Sequence, residues 1–252
     1  MLQYYYMETF QSFDGVQIAY WDMGEGDPIL LLHGFTANSD INWGKSGITE
    51  NLLNSGRRVI MMDARGHGES GKPHTSYSYW NRAMAQDVGA IAEYLMLYDY
   101  DIIGYSMGAK VAIEAALIFS RIRSLVLAGL HIYDKDWTLS DKERKKKVKN
   151  MLDDNPKEKD QYRVFAEKTG GDRIAFAARL EGNIYPEFIH EDLMKLHLPI
   201  LIINASREYS AEEAASFFPN ARGVSLRASH ITLLRNKNFS NEVLSFLNEL
   251  DN

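Results

Sequence analysis

A serine stands between two glycines, each two positions away, in Gly104-Tyr105-Ser106-Met107-Gly108. A short apolar run precedes it, and small residues at helical spacing follow it. This is the sequence form of a nucleophile elbow, a strand-to-helix turn so tight that its central side chain projects from the backbone. Gly104 and Gly108 lack a Cβ, which lets strand and helix approach while Ser106 holds a strained conformation. The chemistry such a serine offers is attack on a carbonyl carbon. A hydroxyl is a poor nucleophile at its own pKa, so a base must take its proton and a third group must orient the base.

His230 is the candidate base. It lies beyond the last strand-like run and before the final helical pattern, in a loop that returns to the elbow in a sheet of this kind. His131, just after the run Leu125-Gly129, is the rival. His33, beside Gly34, reads as structural in a tight turn, and His67 lies in the glycine-rich loop from Asp63 to Ser70. The candidate acid is Glu208, between the run Ile200-Asn204 and a helix that the capping box Ser210-Ala211-Glu212-Glu213 should start. A carboxylate there accepts the imidazole N–H and stabilises the imidazolium. Asp134 and Asp136, after the preceding strand, are alternatives. An oxyanion hole needs two backbone N–H groups aimed at one point. Met107, directly after the serine, offers one. Phe35, in His33-Gly34-Phe35-Thr36, offers the second.

Positioning these groups requires an ordered scaffold. Met7-Phe13 and Val16-Trp21 flank the hairpin signal Asp14-Gly15. Ile29-Leu32, Val59-Met62, Asp101-Gly104, Leu125-Gly129 and Ile200-Asn204 are compact apolar runs of the kind found in buried parallel strands, and Gly223-Leu226 is a weaker one. Between and after them, Ile48-Leu53, Tyr79-Leu97, Met107-Phe119, Ala211-Phe218 and Asn241-Leu250 read as helices. The alternation predicts an α/β fold with a mostly parallel sheet. From His131 to His197 the rhythm changes. No strand-like run occurs there; instead come charged helical stretches, Ser140-Asp154, Lys157-Lys168, Arg173-Glu181 and Pro186-Lys195, punctuated by Asn155-Pro156, Gly170-Gly171 and Tyr185-Pro186. An insertion there reads as a helical cap (131–197) over the carboxyl edge of a core made of 1–130 and 198–252. Trp137, Tyr162, Phe165, Phe176, Tyr185 and Phe188 are available to a pocket wall or to packing.

Composition narrows the classes of function. The chain has 252 residues, 45% of them hydrophobic and 25% charged, with a net charge of -6. That balance argues against general nucleic-acid binding, which needs a basic surface. There is no cysteine, so thiolate catalysis, disulfides and cysteine-held zinc are excluded. No apolar stretch is long enough for a bilayer, and the first ten residues lack the basic region of a secretory signal. The expectation is a cytoplasmic protein with no membrane partner. No Gly-x-Gly-x-x-Gly follows a strand and no metal-ligand spacing appears, so neither cofactor nor metal is expected.

With His33-Gly34-Phe35, the loop Asp63-Ala64-Arg65-Gly66-His67-Gly68-Glu69-Ser70, the elbow and the late His230 in this order, the chain resembles the α/β-hydrolase superfamily, in particular its small cofactor-free esterase and lipase-like members. The resemblance covers nearly everything outside the cap. It implies an eight-stranded sheet flanked by helices and a Ser106–His230–Glu208 triad acting on a small-molecule ester. It departs from the usual pattern in two places. Glu208 stands where aspartate is usual, and Arg227-Ala228-Ser229 precede His230 where a glycine is frequent. A serine at the elbow sets the chain apart from the branch that resembles haloalkane dehalogenases and epoxide hydrolases. Carbon–carbon bond hydrolysis or lyase-type chemistry by the same triad, and a ligand sensor with slow turnover, are the alternatives.

Overall fold

The computed structural model describes residues 6–131, 140–182 and 188–251. Asp134, Asp136, Trp137, Tyr185 and Pro186 lie outside the described residues. Eight strands form one sheet in the order β1-β2-β4-β3-β5-β6-β7-β8. The hairpin strands β1 (Glu8–Gln11) and β2 (Gln17–Met23) are antiparallel to each other, and β2 is antiparallel to β4 (Arg58–Met62). The other six, β3 (Pro28–Leu32), β4, β5 (Tyr100–Tyr105), β6 (Ile122–Ala128), β7 (Ile200–Ala205) and β8 (Ala221–Leu226), run parallel.

Continuous apolar runs form these strands because both faces of the sheet are covered. Leu30, Leu32, Ile60, Met62 and Ile102 face one layer of core, with α2 (Ala83–Tyr94), α3 (Met107–Ile118) and α8 (Ala211–Ala215) packed on it. Their neighbours Ile29, Leu31, Val59, Met61 and Ile103 face the other, with α1 (Ile48–Asn54) and α9 (Phe239–Leu250). The alternation follows from side chains pointing to opposite faces in turn.

Among the described residues, four helices lie between β6 and β7: α4 (Asp141–Leu152), α5 (Gln161–Thr169), α6 (Arg173–Gly182) and the short α7 (His190–Leu193). The capping box at Ser140 starts α4, its hydroxyl accepting from Glu143 N–H. Arg163 is buried, and its guanidinium donates to the carbonyls of Asn150, Met151 and Asp153. Arg173 also donates to the Met151 and Asp153 carbonyls, so two cations close the C-terminal end of α4, where carbonyls lack helical partners and positive charge suits the dipole. Among the described residues no helix is long and apolar enough to cross a membrane.

Several helix boundaries differ from expectation, including α5, which begins at Gln161 rather than Lys157, and α7, which spans only His190–Leu193. The pattern Tyr79-Leu97 predicts one helix, but Asn81 and Arg82 adopt φ of 51° and 57°. Those left-handed residues separate a single turn at Ser76–Tyr79 from α2. The helix expected over Ala211-Phe218 ends at Ala215.

Candidate active site

The elbow is built as its sequence requires. Ser106 has φ 53° and ψ -108°, a sparsely populated region that costs a residue with a Cβ about 1–3 kcal/mol. It sits between the last residue of β5 and the first of α3. The α3 backbone is pressed onto the neighbouring strand, because a Cβ on Gly108 would lie 2.0 Å from the Leu32 carbonyl oxygen. Only glycine permits that approach, and it brings the start of α3 beside the loop after β3.

His230 comes from the far side of the sheet. The loop after β8 reaches back over the end of β6, and the ring passes above Gly129, where a Cβ would lie 2.8 Å from His230 Cε1. His230 Nε2 then stands 3.0 Å from Ser106 Oγ. Tyr105 fixes the histidine from below. Its hydroxyl donates to the His230 carbonyl at 2.7 Å, and the two rings stack at 5.0 Å with 28° between planes. Sequence reasoning gave Tyr105 no part in the site. The only available signal was a tyrosine in the variable slot before the serine.

Glu208 follows β7 and meets His230 in two ways. Its Oε1 accepts the His230 backbone N–H at 2.5 Å, and its Oε2 lies 3.8 Å from the ring Nδ1. That nitrogen is buried without a hydrogen-bond partner. Burial lowers the pKa of His230, opposed in part by the Glu208 charge, so the ring is neutral in its ordinary working range and able to accept a proton. His131 is not beside Ser106. It lies on the other flank of Glu208, its Nε2 3.8 Å from Oε2, with its ring 3.9 Å from that of Tyr209. Burial, with His230 and Lys110 nearby, pushes its pKa down to about 3.

The loop after β3 runs alongside the elbow, since Leu32 pairs with Gly104. His33 is buried and structural. Its Nδ1 lies 2.8 Å from the Gly34 carbonyl, and its Nε2 accepts the Ala64 N–H at 3.0 Å, tying the loop after β3 to the one after β4. Asp63 braces the same pair of loops by accepting Ser39 N–H and Glu69 N–H, each at 2.8 Å. The Phe35 side chain turns toward the inserted helices. It packs on Tyr162 at 5.5 Å and Phe176 at 5.4 Å, with the Arg179 guanidinium 5.2 Å from its ring centre. Thr169 Oγ1 donates to the Thr36 carbonyl, and His74 pairs with Asp172 at 2.9 Å. Of the other aromatic residues considered for a pocket wall, Phe188 belongs to the main core.

The sequence model of the alpha/beta hydrolase fold family matches residues 27–179, and the chain belongs to that family. A putative non-heme chloroperoxidase of Synechocystis sp. is 41% identical over 93 residues, which are 37% of this chain and 32% of that protein. The match therefore spans about a third of that relative's length. The non-heme chloroperoxidase CPO-A1 of Kitasatospora aureofaciens is 26% identical across 94% of this chain and 98% of its own. Among solved structures, an esterase from Exiguobacterium antarcticum superposes with a TM-score of 0.78 at 23% identity, covering 95% of this chain and 98% of its own. That likeness is one of fold.

Proposed function

We propose that the chain is a serine hydrolase that cleaves carboxylic esters of small or medium size through an acyl-enzyme. The observation that carries this reading is the 3.0 Å contact between Ser106 Oγ and His230 Nε2, made by a serine held at a strained elbow. His230 takes the Ser106 proton as Oγ attacks the ester carbonyl. Glu208 stabilises the imidazolium that results. The Met107 N–H, in the first turn of α3 where no helical carbonyl is available to it, and the Phe35 N–H hold the oxyanion. The helix N-terminus adds favourable field at that point. His230 then gives its proton to the leaving alcohol, and water activated by the same ring releases the acid. Residues 131–197 serve as a cap over this centre, fastened through Phe35.

A second reading is favoured by the two relatives named chloroperoxidases. In it hydrogen peroxide takes the place of water, attacks the acyl-enzyme and leaves as a peracid, and Ser106 is regenerated with the same proton transfers.

The test is fluorophosphonate labelling followed by peptide mapping, together with p-nitrophenyl esters of graded acyl length. Labelling at Ser106 and a burst of p-nitrophenol are expected, both lost in Ser106→Ala. Undiminished turnover in that variant sinks the reading. Negligible ester turnover beside cleavage of a vinylogous diketone would transfer the same residues to carbon–carbon bond hydrolysis.

A further inference from the structure

The carboxyl ends of three neighbouring strands bring together three side chains with metal-ligating atoms: His131 after β6, Glu208 after β7 and His230 after β8. Their donor atoms all lie within 4.8 Å of one another. Glu208 Oε2 is 3.8 Å from His131 Nε2 and 3.8 Å from His230 Nδ1. A tetrahedral zinc ion with bonds of about 2.1 Å spaces its ligand atoms about 3.4 Å apart. The carboxylate therefore stands about 0.4 Å too far from each ring, and the two imidazole nitrogens, within 4.8 Å of each other, must also draw together as the ion binds.

Two independent features support a site rather than a chance cluster. The first is His230 Nδ1, buried and without a hydrogen-bond partner. A buried ring nitrogen without a partner, beside a carboxylate and a second imidazole, is free to bind a cation that those two groups share. The second is that the backbone beneath all three residues is fastened. The buried Asn204 side chain accepts Leu130 N–H and donates to Leu130 O, each at 2.9 Å, which pins the residue before His131. Glu208 N–H donates to the Ala205 carbonyl at 2.9 Å. His230 is held at its N–H by Glu208 and at its carbonyl by Tyr105. Two imidazoles and one carboxylate on fastened backbone form a donor set suited to zinc.

We propose that His131, Glu208 and His230 bind one zinc ion, and that its binding silences Ser106. Coordination uses the Nδ1 lone pair of His230, so the single proton of the neutral ring sits on Nε2. That nitrogen then donates to Ser106 Oγ and no longer accepts from it. Glu208 gives its charge to the ion, and the ring, bound at Nδ1 and protonated at Nε2, has no lone pair left for the Ser106 proton. The silencing rests on the reading of Ser106 and His230 above, whereas the binding does not.

The experiment uses tag-free, EDTA-stripped protein and measures zinc directly by competition with a chromogenic chelator. One zinc per chain is expected, with affinity weakened about tenfold or more in His131→Ala and in His131→Phe, which keeps a ring against Tyr209. Ser106→Ala should bind zinc as the parent does. Absence of stoichiometric zinc, or parental affinity in both His131 variants, overturns the site. At zinc concentrations that fill it, p-nitrophenyl acetate hydrolysis should stop and EDTA should restore it. His131→Phe should need about tenfold or more zinc for the same loss of hydrolysis. Full occupancy with undiminished hydrolysis overturns the silencing. Metal-free protein that hydrolyses no ester overturns the serine reading instead, and the binding measurement still decides the site.

Discussion

Glu208 holds His230 by its backbone more closely than by its ring: Oε1 accepts the main-chain N–H at 2.5 Å, while Oε2 stays 3.8 Å from Nδ1. One carboxylate thus faces both the main-chain N–H and the ring of the same histidine. In the resting structure the carboxylate fixes where His230 stands, and a small rotation is left to complete the contact with Nδ1. Catalytic hydrogen bonds are often long before substrate binds and shorten in the complex.

Replacing the carboxylate tests that division. Glu208→Gln keeps an oxygen for the His230 N–H and removes the charge that stabilises the imidazolium. We expect kcat on p-nitrophenyl acetate to fall roughly a hundred- to ten-thousandfold with little change in melting temperature. A loss under about threefold would assign the third role to another carboxylate.

The pH profile follows from the same pair. The working form of His230 is neutral, and burial holds its pKa below the ordinary value of 6.5. Activity should therefore persist below pH 6.5 and be lost as His230 protonates at lower pH. The Glu208 charge raises the pKa, so Glu208→Gln should move the acid limb of kcat/KM to still lower pH. An acid limb above 6.5, or one that moves upward in the variant, contradicts this account.

The strain at the elbow predicts a stability difference between two inactive variants. Ser106→Ala keeps a Cβ at φ 53° and ψ -108°, whereas Ser106→Gly removes it. Glycine gains back the strain, about 1–3 kcal/mol, and loses about 0.5–1 kcal/mol to the entropy of its unfolded chain. Ser106→Gly should be more stable than Ser106→Ala by about 1 kcal/mol in urea denaturation. The reverse order would mean that the elbow carries no strain.

Phe35 separates the backbone chemistry from the packing of the inserted helices. Phe35→Ala leaves its N–H in place and removes the ring that Tyr162, Phe176 and Arg179 surround. Because the ring is half-buried, the cost should be about 2–3 kcal/mol. Limited proteolysis between 131 and 197 should quicken. The kcat for p-nitrophenyl acetate should change less than about tenfold, while KM for longer acyl chains moves more. A collapse of kcat with KM unchanged would show that the ring itself positions the oxyanion loop.

The sequence carried the sheet clearly because its buried strands are continuous apolar runs, and it carried the order of serine, glutamate and histidine. Relationships between distant side chains were harder to read. Phe35, Tyr162 and Phe176 meet only because α5 and α6 fold back onto the loop after β3. Arg65 sits in a glycine-rich loop like any surface cation, yet it is fully buried between Asp87 and Asp14. The break before α2 depends on two left-handed residues: Asn81, of a type that visits that region, and Arg82, of a type that seldom does. His131 offered itself as a base by position, but the strand order sets it against Glu208 rather than Ser106.

The last prediction concerns stability. His33 and His67 are fully buried, and burial holds both below the ordinary histidine pKa of 6.5, His67 well below it. His67 Nδ1 lies 3.0 Å from the Arg65 carbonyl, while Nε2 has no partner and the ring packs 4.7 Å from Phe176. A proton on that ring would place a charge against aromatic carbon. In the unfolded chain the same histidine protonates freely near pH 6.5, so below that pH the unfolded state binds more protons than the folded one. Stability is then level above pH 6.5 and falls with acidification, by up to about 1.4 kcal/mol per pH unit for each such histidine. Urea denaturation at pH 7.5, 6.5 and 5.5 measures the slope. His67→Phe loses the bond to Arg65 at every pH, at a cost of about 1–3 kcal/mol. Its stability should nevertheless drop less between pH 6.5 and 5.5 than that of the parent, by about 1 kcal/mol. Parallel pH dependence in the two proteins would show that His67 takes up its proton in the folded state.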